Sequence, residues 1–309
     1  PSLHNPTSNV LYDLHGKLTS CDLVLSTEGN YHMALHDIWP QVLATLASKG
    51  MPLDNAFYTT SPPVFVPQLK NGTVQFDNLS MNCRPSVAVA SKKAIDKLIA
   101  SGAADGAPIP LYEDRGDVIL VKKGNPKHIE TVWDLGRTGV RVVTPNPELE
   151  PGAYQNYRDA IYNIAKADKN PPAGWTAEKL IDVIFNGKSG DPDKWLAGYR
   201  IHHRDEPWSV AYGKADAAMI LYHLGRYTKE SFPQVFDVVP LGGTLDNPQP
   251  LPGIKTSVRY VVAIKGNWSP KQKTARDTLI QTLLSDNFTQ ILERHGLHRP
   301  AGVVAGQQK

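Results

Sequence analysis

Cysteine is nearly missing from these 309 residues: Cys21 and Cys83 are the two, and their separation excludes a CxxC redox or zinc motif. No apolar run approaches the roughly 20 residues that crossing a bilayer takes, so no segment reads as a membrane span. Neither sign of charge dominates, with 33 Lys and Arg against 30 Asp and Glu. The basic residues also lack the clustering that a nucleic-acid footprint needs, and no nucleic-acid partner is expected. The GxSxG elbow is absent, no Cys/His pair marks a nucleophile, and HExxH fails because His32 is followed by Met33. Asn186-Gly187-Lys188-Ser189 ends like a Walker loop, but Asp182 stands where its first glycine belongs, so this stretch reads as a surface turn. The chain is therefore expected not to be an enzyme and to carry no cofactor. The opening stretch, residues 1–9, is polar and rich in breakers, and any export signal is expected to have been removed.

What is present is an ordinary globular composition, long enough for two modest cores. The first third alternates short strands with helical segments, the pattern of a parallel sheet covered by helices. Strands are expected at 22–25, 56–58 and 86–90, with helices at 30–48 and 92–101. Pro40 is expected to end or kink the first helix, because it removes a backbone donor. A further strand at 117–121 is expected to pair with 258–264, since both are rich in β-formers and run toward Lys-Gly-Asn. Between them a second series, with strands at 140–143 and 217–221 and a helix at 154–166, reads as an inserted lobe. Near the end, Ser269-Pro270 with Gln272 forms a capping box and Gly296 suits a helix C-cap.

Both cysteines stand where an apolar strand begins. If those strands are parallel neighbours, the sulfurs fall at one sheet end and a disulfide can form, which implies an oxidising compartment; otherwise they are two buried thiols.

In open parallel sheets ligands bind beyond the carboxyl ends of the strands. The loop Ser26-Thr27-Glu28-Gly29-Asn30 and the turn Thr59-Thr60-Ser61 fall there, offering neutral donors to an oxyanion or merely capping a helix. In the inserted lobe, Thr144 to Tyr154 is a long turn opening onto a helix; it carries Glu148, Gly152 and Ala153. His202-His203-Arg204 brings a fixed positive charge, with Pro207 expected in the first turn of its helix. Tyr222 and His223 emerge from the strand at 217–221, either toward a ligand or as packing groups. A competing metal reading starts from His32 and His36, four apart on one helical face.

Several stretches together resemble the type II periplasmic binding proteins, most closely the molybdate-binding proteins of ABC transporters. They are Val118 to Pro126, Val132-Trp133-Asp134-Leu135, Asn146-Pro147-Glu148 with Pro151-Gly152-Ala153-Tyr154, and the ending from Leu284 to Leu297. The resemblance implies an α/β, two-lobed type II fold, each lobe a mainly parallel sheet flanked by helices, with the ligand cleft between them. Lobe 1 is expected at 1–116 and 259–309, lobe 2 at 117–258, and a two-strand hinge near 116–118 and 257–259. It implies a periplasmic or extracytoplasmic monomer that captures a small oxyanion by hinge closure and delivers it to an ABC membrane permease. Carried over position by position, the binding residues are Ser26 or Thr27, Thr60 or Ser61, Gly152 or Ala153, and Tyr222. Asn30, Glu148, His203 and Arg204 join them from the same loops. Glu28, Pro62-Pro63 and His202-His203-Arg204 depart from the family pattern, which opens the alternatives of a phosphonate, a carboxylate, sulfate, or a metal or metal chelate.

Overall fold

The computed structural model describes residues 14–302 except 18, 52, 61–68, 70, 77–78, 186–192 and 200. In chain order the elements begin β1 (Leu14–Gly16), β2 (Leu23–Glu28), α1 (His32–Ser48), β3 (Asn55–Thr60), β4 (Val74–Phe76), β5 (Leu79–Met81), β6 (Val87–Ser91), α2 (Lys92–Ala100) and β7 (Ile109–Glu113). They continue with β8 (Asp117–Lys122), β9 (Val142–Thr144), α3 (Pro151–Ala167), α4 (Ala177–Phe185), β10 (Trp195–Ala197), α5 (His202–Ala211), β11 (Ala217–Leu221), α6 (Tyr222–Ser231) and β12 (Phe236–Pro240). The last are β13 (Val258–Ala263), α7 (Pro270–Leu283) and α8 (Asp286–Arg294). The described residues divide into two compact units: a first, holding those up to Glu113 and from Ser257 on, and a second, holding Asp114–Thr256.

The first unit contains a six-stranded mixed sheet in the order β1-β3-β2-β6-β13-β7. The central stretches of β2, β6 and β13 are continuous apolar runs because both faces of the sheet are covered. Leu23, Leu25, Val87, Val89 and Val261 point to one side, against Leu35, Ile38 and Val42 of α1, Leu279 of α7 and Phe288 of α8. Ala88, Ala90 and Val262 point to the other, against Ile95 and Leu98 of α2. Each such aliphatic side chain contributes about 1.5–3 kcal/mol on burial. The expectation that Pro40 ends α1 is not met: the helix runs to Ser48 with Pro40 inside it. Ile38, Trp39 and Val42 flank Pro40 and are buried, so packing offsets the lost backbone bond.

Cys21 and Cys83 are joined in a disulfide, with Cα atoms 5.4 Å apart. The geometry follows from topology, because β2 and β6 are parallel partners and the two cysteines precede them. At the other end of the unit, α7 starts in the expected capping box: the Gln272 amide donates to the Ser269 hydroxyl at 3.2 Å, and the Ser269 amide to the Gln272 side chain at 3.0 Å. Arg299 then binds the chain end down by donating to the carbonyls of Leu111 and Leu283 at 2.6 and 2.7 Å.

The second unit contains a five-stranded mixed sheet, β10-β9-β11-β8-β12. Here the sequence-based pairing needs correction. β8 lies between β11 and β12, antiparallel to both, while β13 completes the first unit's sheet between β6 and β7. Two short apolar strands of like composition carry no mark of partnership; pairing is decided by which sheet has an open edge with the matching buried pattern. Ile119, Val121, Val142 and Met219 form one core with Ile161 and Ile164 of α3 and Leu180 and Ile184 of α4. An unusual support is Lys194, whose buried ammonium donates to the carbonyls of Leu135, Arg137 and Val140 at 2.5, 2.7 and 2.8 Å. The helix expected to open at Pro207 opens earlier, at His202, so Pro207 sits inside α5. It follows Ile201, a non-glycine residue held at φ 69°, which turns the chain sharply into the helix.

Candidate functional site

In the first unit, β2 runs parallel to β3 and β6, so Glu28, Thr60 and Ser91 stand at one end of the sheet. Antiparallel β13 enters there, with Arg259 opposite Ser91. Glu28 is fully engaged in this corner. One carboxylate oxygen accepts from the Ser91 amide at 3.0 Å; the other accepts from the Asn30 side chain at 3.1 Å and pairs with the Arg259 guanidinium. The Asn30 carbonyl oxygen accepts from Tyr112 at 2.6 Å, and the Thr27 hydroxyl donates to Tyr31 at 2.7 Å. Burial pushes the Tyr31 phenol well up. Ser26 and Thr27 are fully buried; among the described residues the Ser26 hydroxyl has no hydrogen-bond partner. The Thr60 side chain and all of Ser61 lie outside what the structure describes, as does the Asn186–Ser189 stretch. His32 shares a hydrogen bond with the Gly29 carbonyl at 3.0 Å, and His36 lies 3.7 Å from Asp37 with most of its ring exposed. Among the described residues no three His, Cys, Asp or Glu side chains converge to hold a metal ion.

In the second unit, β9, β10 and β11 are parallel, and Asp117 at the start of β8 pairs with Leu221 at the end of β11. Onto this end opens α3. Pro151 occupies its first position and Glu150 its N-cap, so the next two amides, of Gly152 and Ala153, have no acceptor within the helix; they find none elsewhere among the described residues. Gly152 is exposed, and a Cβ built on it would meet nothing within 4 Å, so the start of the helix is open beside it. The approach to α3 is fixed by Asn146. Its carbonyl oxygen accepts from the amides of Glu148 and Leu149 at 2.9 and 3.0 Å, and its amide group donates to the Gly198 carbonyl at 2.9 Å. The Glu148 side chain itself is exposed.

Behind the helix start lies a set of carboxyl groups that sequence reasoning missed. Glu150 accepts from the His202 amide at 2.8 Å and lies 3.2 Å from its ring Nδ1. Asp205 accepts from the Tyr199 amide at 2.7 Å and the Ser209 hydroxyl at 3.3 Å. This arrangement requires glycine at 198, where a Cβ would stand 1.8 Å from the Asp205 carboxylate. Burial, with some repulsion from Glu150, pushes Asp205 up to about 6. Glu206 is fully buried, and among the described residues neither of its oxygens has a hydrogen-bond partner. Burial raises it well above the carboxylate range, reinforced by Asp205, Glu150 and Asp117. Asp117 is raised likewise, by burial and by Asp114, and the Tyr157 phenol by burial and then by Glu206 and Asp117. The signal that could have found them is the consecutive pair Asp205-Glu206 followed by proline and tryptophan, too few exposed neighbours for a solvated helix face.

Of the remaining expected contacts, Tyr222 is buried and its hydroxyl donates to the Leu245 carbonyl at 2.6 Å. His203 and Arg204 lie in the first turn of α5, the His203 ring 5.4 Å from that of His202. Gly152, Ala153, Glu150, His202, Asp205, Glu206 and Asp117 are therefore brought to one end of one sheet. Tyr222 shares that end with its phenol committed.

Comparison with known proteins agrees with this architecture. Residues 68–298 match the family model described as bacterial extracellular solute-binding protein. A sulfate-binding protein of Salmonella typhimurium is 55% identical over 68 residues, 22% of this chain and 20% of that protein. The chain thus matches about a fifth of that relative's length. Among solved structures, the sulfate-binding protein SubI of Mycobacterium tuberculosis superposes with a TM-score of 0.62 at 14% identity, covering 92% of this chain and 88% of that one. The periplasmic molybdate-binding protein of Azotobacter vinelandii gives 0.57 at 14% identity, covering 90% and 99%.

Proposed function

We propose that this chain, which belongs to the family of bacterial extracellular solute-binding proteins, captures a small tetrahedral oxyanion of the sulfate or molybdate kind for delivery to an ABC permease. The observation that carries the reading is the start of α3, where the Gly152 and Ala153 amides have no acceptor among the described residues and the space beside Gly152 is open. Donors and dipole there point the same way, toward negative charge. Arg204, in the first turn of α5 at the same sheet end, adds a fixed positive charge. A sulfate-binding relative identical at 55% of 68 positions supports the same chemistry. The first unit contributes less than its loops suggest, since Thr27 and Asn30 are bonded internally.

The test is calorimetric titration of the protein with sulfate and with molybdate, beside the variant Ala153→Pro. Proline is tolerated in the first helical turn but deletes one of the two donors. A charge-assisted hydrogen bond is worth about 1.5–3 kcal/mol, so affinity should fall more than tenfold while the melting temperature stays nearly constant. Equal affinity in the two proteins would sink the reading; the same titration ranks sulfate against molybdate.

A further inference from the structure

Glu206 has no role in the oxyanion reading as it stands, and on simple electrostatics it opposes it. An acidic side chain with both oxygens unbonded, fully buried, sits among Asp205 on its own helix, Glu150 at the α3 N-cap, Asp117 on β8 and Tyr157 on α3. α5 also packs against β9 and β11, which present only uncharged residues. No basic side chain is among the groups that act on Glu206; the nearest positive candidate in the cluster, His202, faces Glu150. Ionised, this cluster would place several negative charges behind the very amides that are to receive an anion. Among the described residues no three carboxyl or imidazole groups converge to hold a metal ion there.

We infer that the second unit takes up its oxyanion together with a proton, and that Glu206, buried and unbonded amid Glu150, Asp205 and Asp117, is the residue that keeps it. The inference rests on the oxyanion reading and deepens it. With Glu206 neutral, the field at the α3 terminus is that of the helix dipole and its two amides, and an anion is attracted. With Glu206 ionised, the added charge repels the anion through a low-dielectric wall, where screening by salt is weak. Linkage makes the effect reciprocal: whatever the proton does for the anion, the anion does for the proton. The burial of Glu206 and its like-charged surroundings both favour the protonated form, and a bound anion favours it further, so the proton is taken up over the pH range in which the empty site would lose it. Asp117 shares these surroundings and should act in the same direction.

The experiment is a titration with sulfate, which stays a dianion throughout, at a series of pH values from 6 to 9, on the wild type and on Glu206→Gln. Glutamine keeps the shape and a neutral donor but cannot ionise. Wild-type affinity should fall at least tenfold across the series; the variant should match the wild type at pH 6 and change no more than about half as much on a logarithmic scale, the remaining slope belonging to Asp205 and Asp117. Proton uptake on binding, from calorimetry in two buffers of different ionisation enthalpy at the alkaline half of the series, reads the same linkage in the unmodified protein and does not depend on the variant folding. Parallel pH slopes in the two proteins, or no proton uptake by the wild type, would overturn the inference and leave the oxyanion reading intact. A sulfate affinity that rises with pH would overturn it as well, since the sign of the linkage would be reversed. Absence of sulfate and molybdate binding at pH 6 would remove both.

Discussion

At the carboxyl end of the six-stranded sheet, Glu28 meets Arg259, an amide and an asparagine; at the corresponding end of the five-stranded sheet, Glu206 meets Glu150, Asp205 and Asp117. The two corners have the same origin, parallel strands running into loops and helices, yet they settle a buried acid in opposite ways. The first supplies a partner of the other sign. The second withholds one, and the acid is settled by keeping its proton. A buried carboxylate paired with arginine fixes structure. A buried carboxyl held neutral is a store of charge that the surroundings can release. One corner is built to stay as it is, the other to respond.

The contrast can be broken most severely from the first corner. Arg259→Met should strand the Glu28 carboxylate, both side chains being only 12% and 15% exposed, and cost about 4 kcal/mol in urea unfolding. Adding Glu28→Gln should recover most of the loss; if the double variant is as unstable as the single one, the pairing is not what holds this corner.

A smaller effect belongs to the second corner. Asp205 is pushed up to about 6, so the folded state binds its proton more tightly than the unfolded chain. That contribution is complete below about pH 4 and is lost as pH rises through 6, a decline of about 3 kcal/mol. Asp205→Asn should remove this slope from the difference between variant and wild-type urea midpoints measured from pH 4 to 7. A difference that does not vary with pH would place Asp205 with the paired acids of the first corner.

The smallest change sharpens the comparison rather than breaking it. Ser209→Ala takes away one of the two donors to Asp205, and about 1 kcal/mol of stability should go with it, measured at pH 7. No loss would mean that the Tyr199 amide alone holds the carboxylate.

Much of this molecule could be read from the chain because the signals are short-ranged. The capping box at Ser269, the glycine stop at Gly296 and the apolar runs that become β2, β6, β8 and β11 depend on residues within a few positions of each other. The turn from Thr144 into α3 is legible for the same reason. What escaped depends on distance. β8 and β13 look alike in sequence, and only the assembled sheets decide that β8 joins β11 and β12. Arg259 lies 231 positions from the acid it pairs with, and a single charge in an apolar strand gives no hint of its partner. Asp205 and Glu206 resemble a solvated helix start, and the Pro207-Trp208 that follows is the one local sign that both are enclosed. The hydroxyls of Thr27 and Tyr222 were visible as donors, but not that each had already found an acceptor at home.

The disulfide has a practical consequence beyond the strands it ties. It consumes the only two sulfhydryls of the chain, and both lie in the first unit, so the second unit contains no thiol. A cysteine introduced anywhere from 114 to 256 would be the sole reactive handle for a maleimide dye. The acid-rich corner can thus be given an optical reporter with no background labelling to subtract.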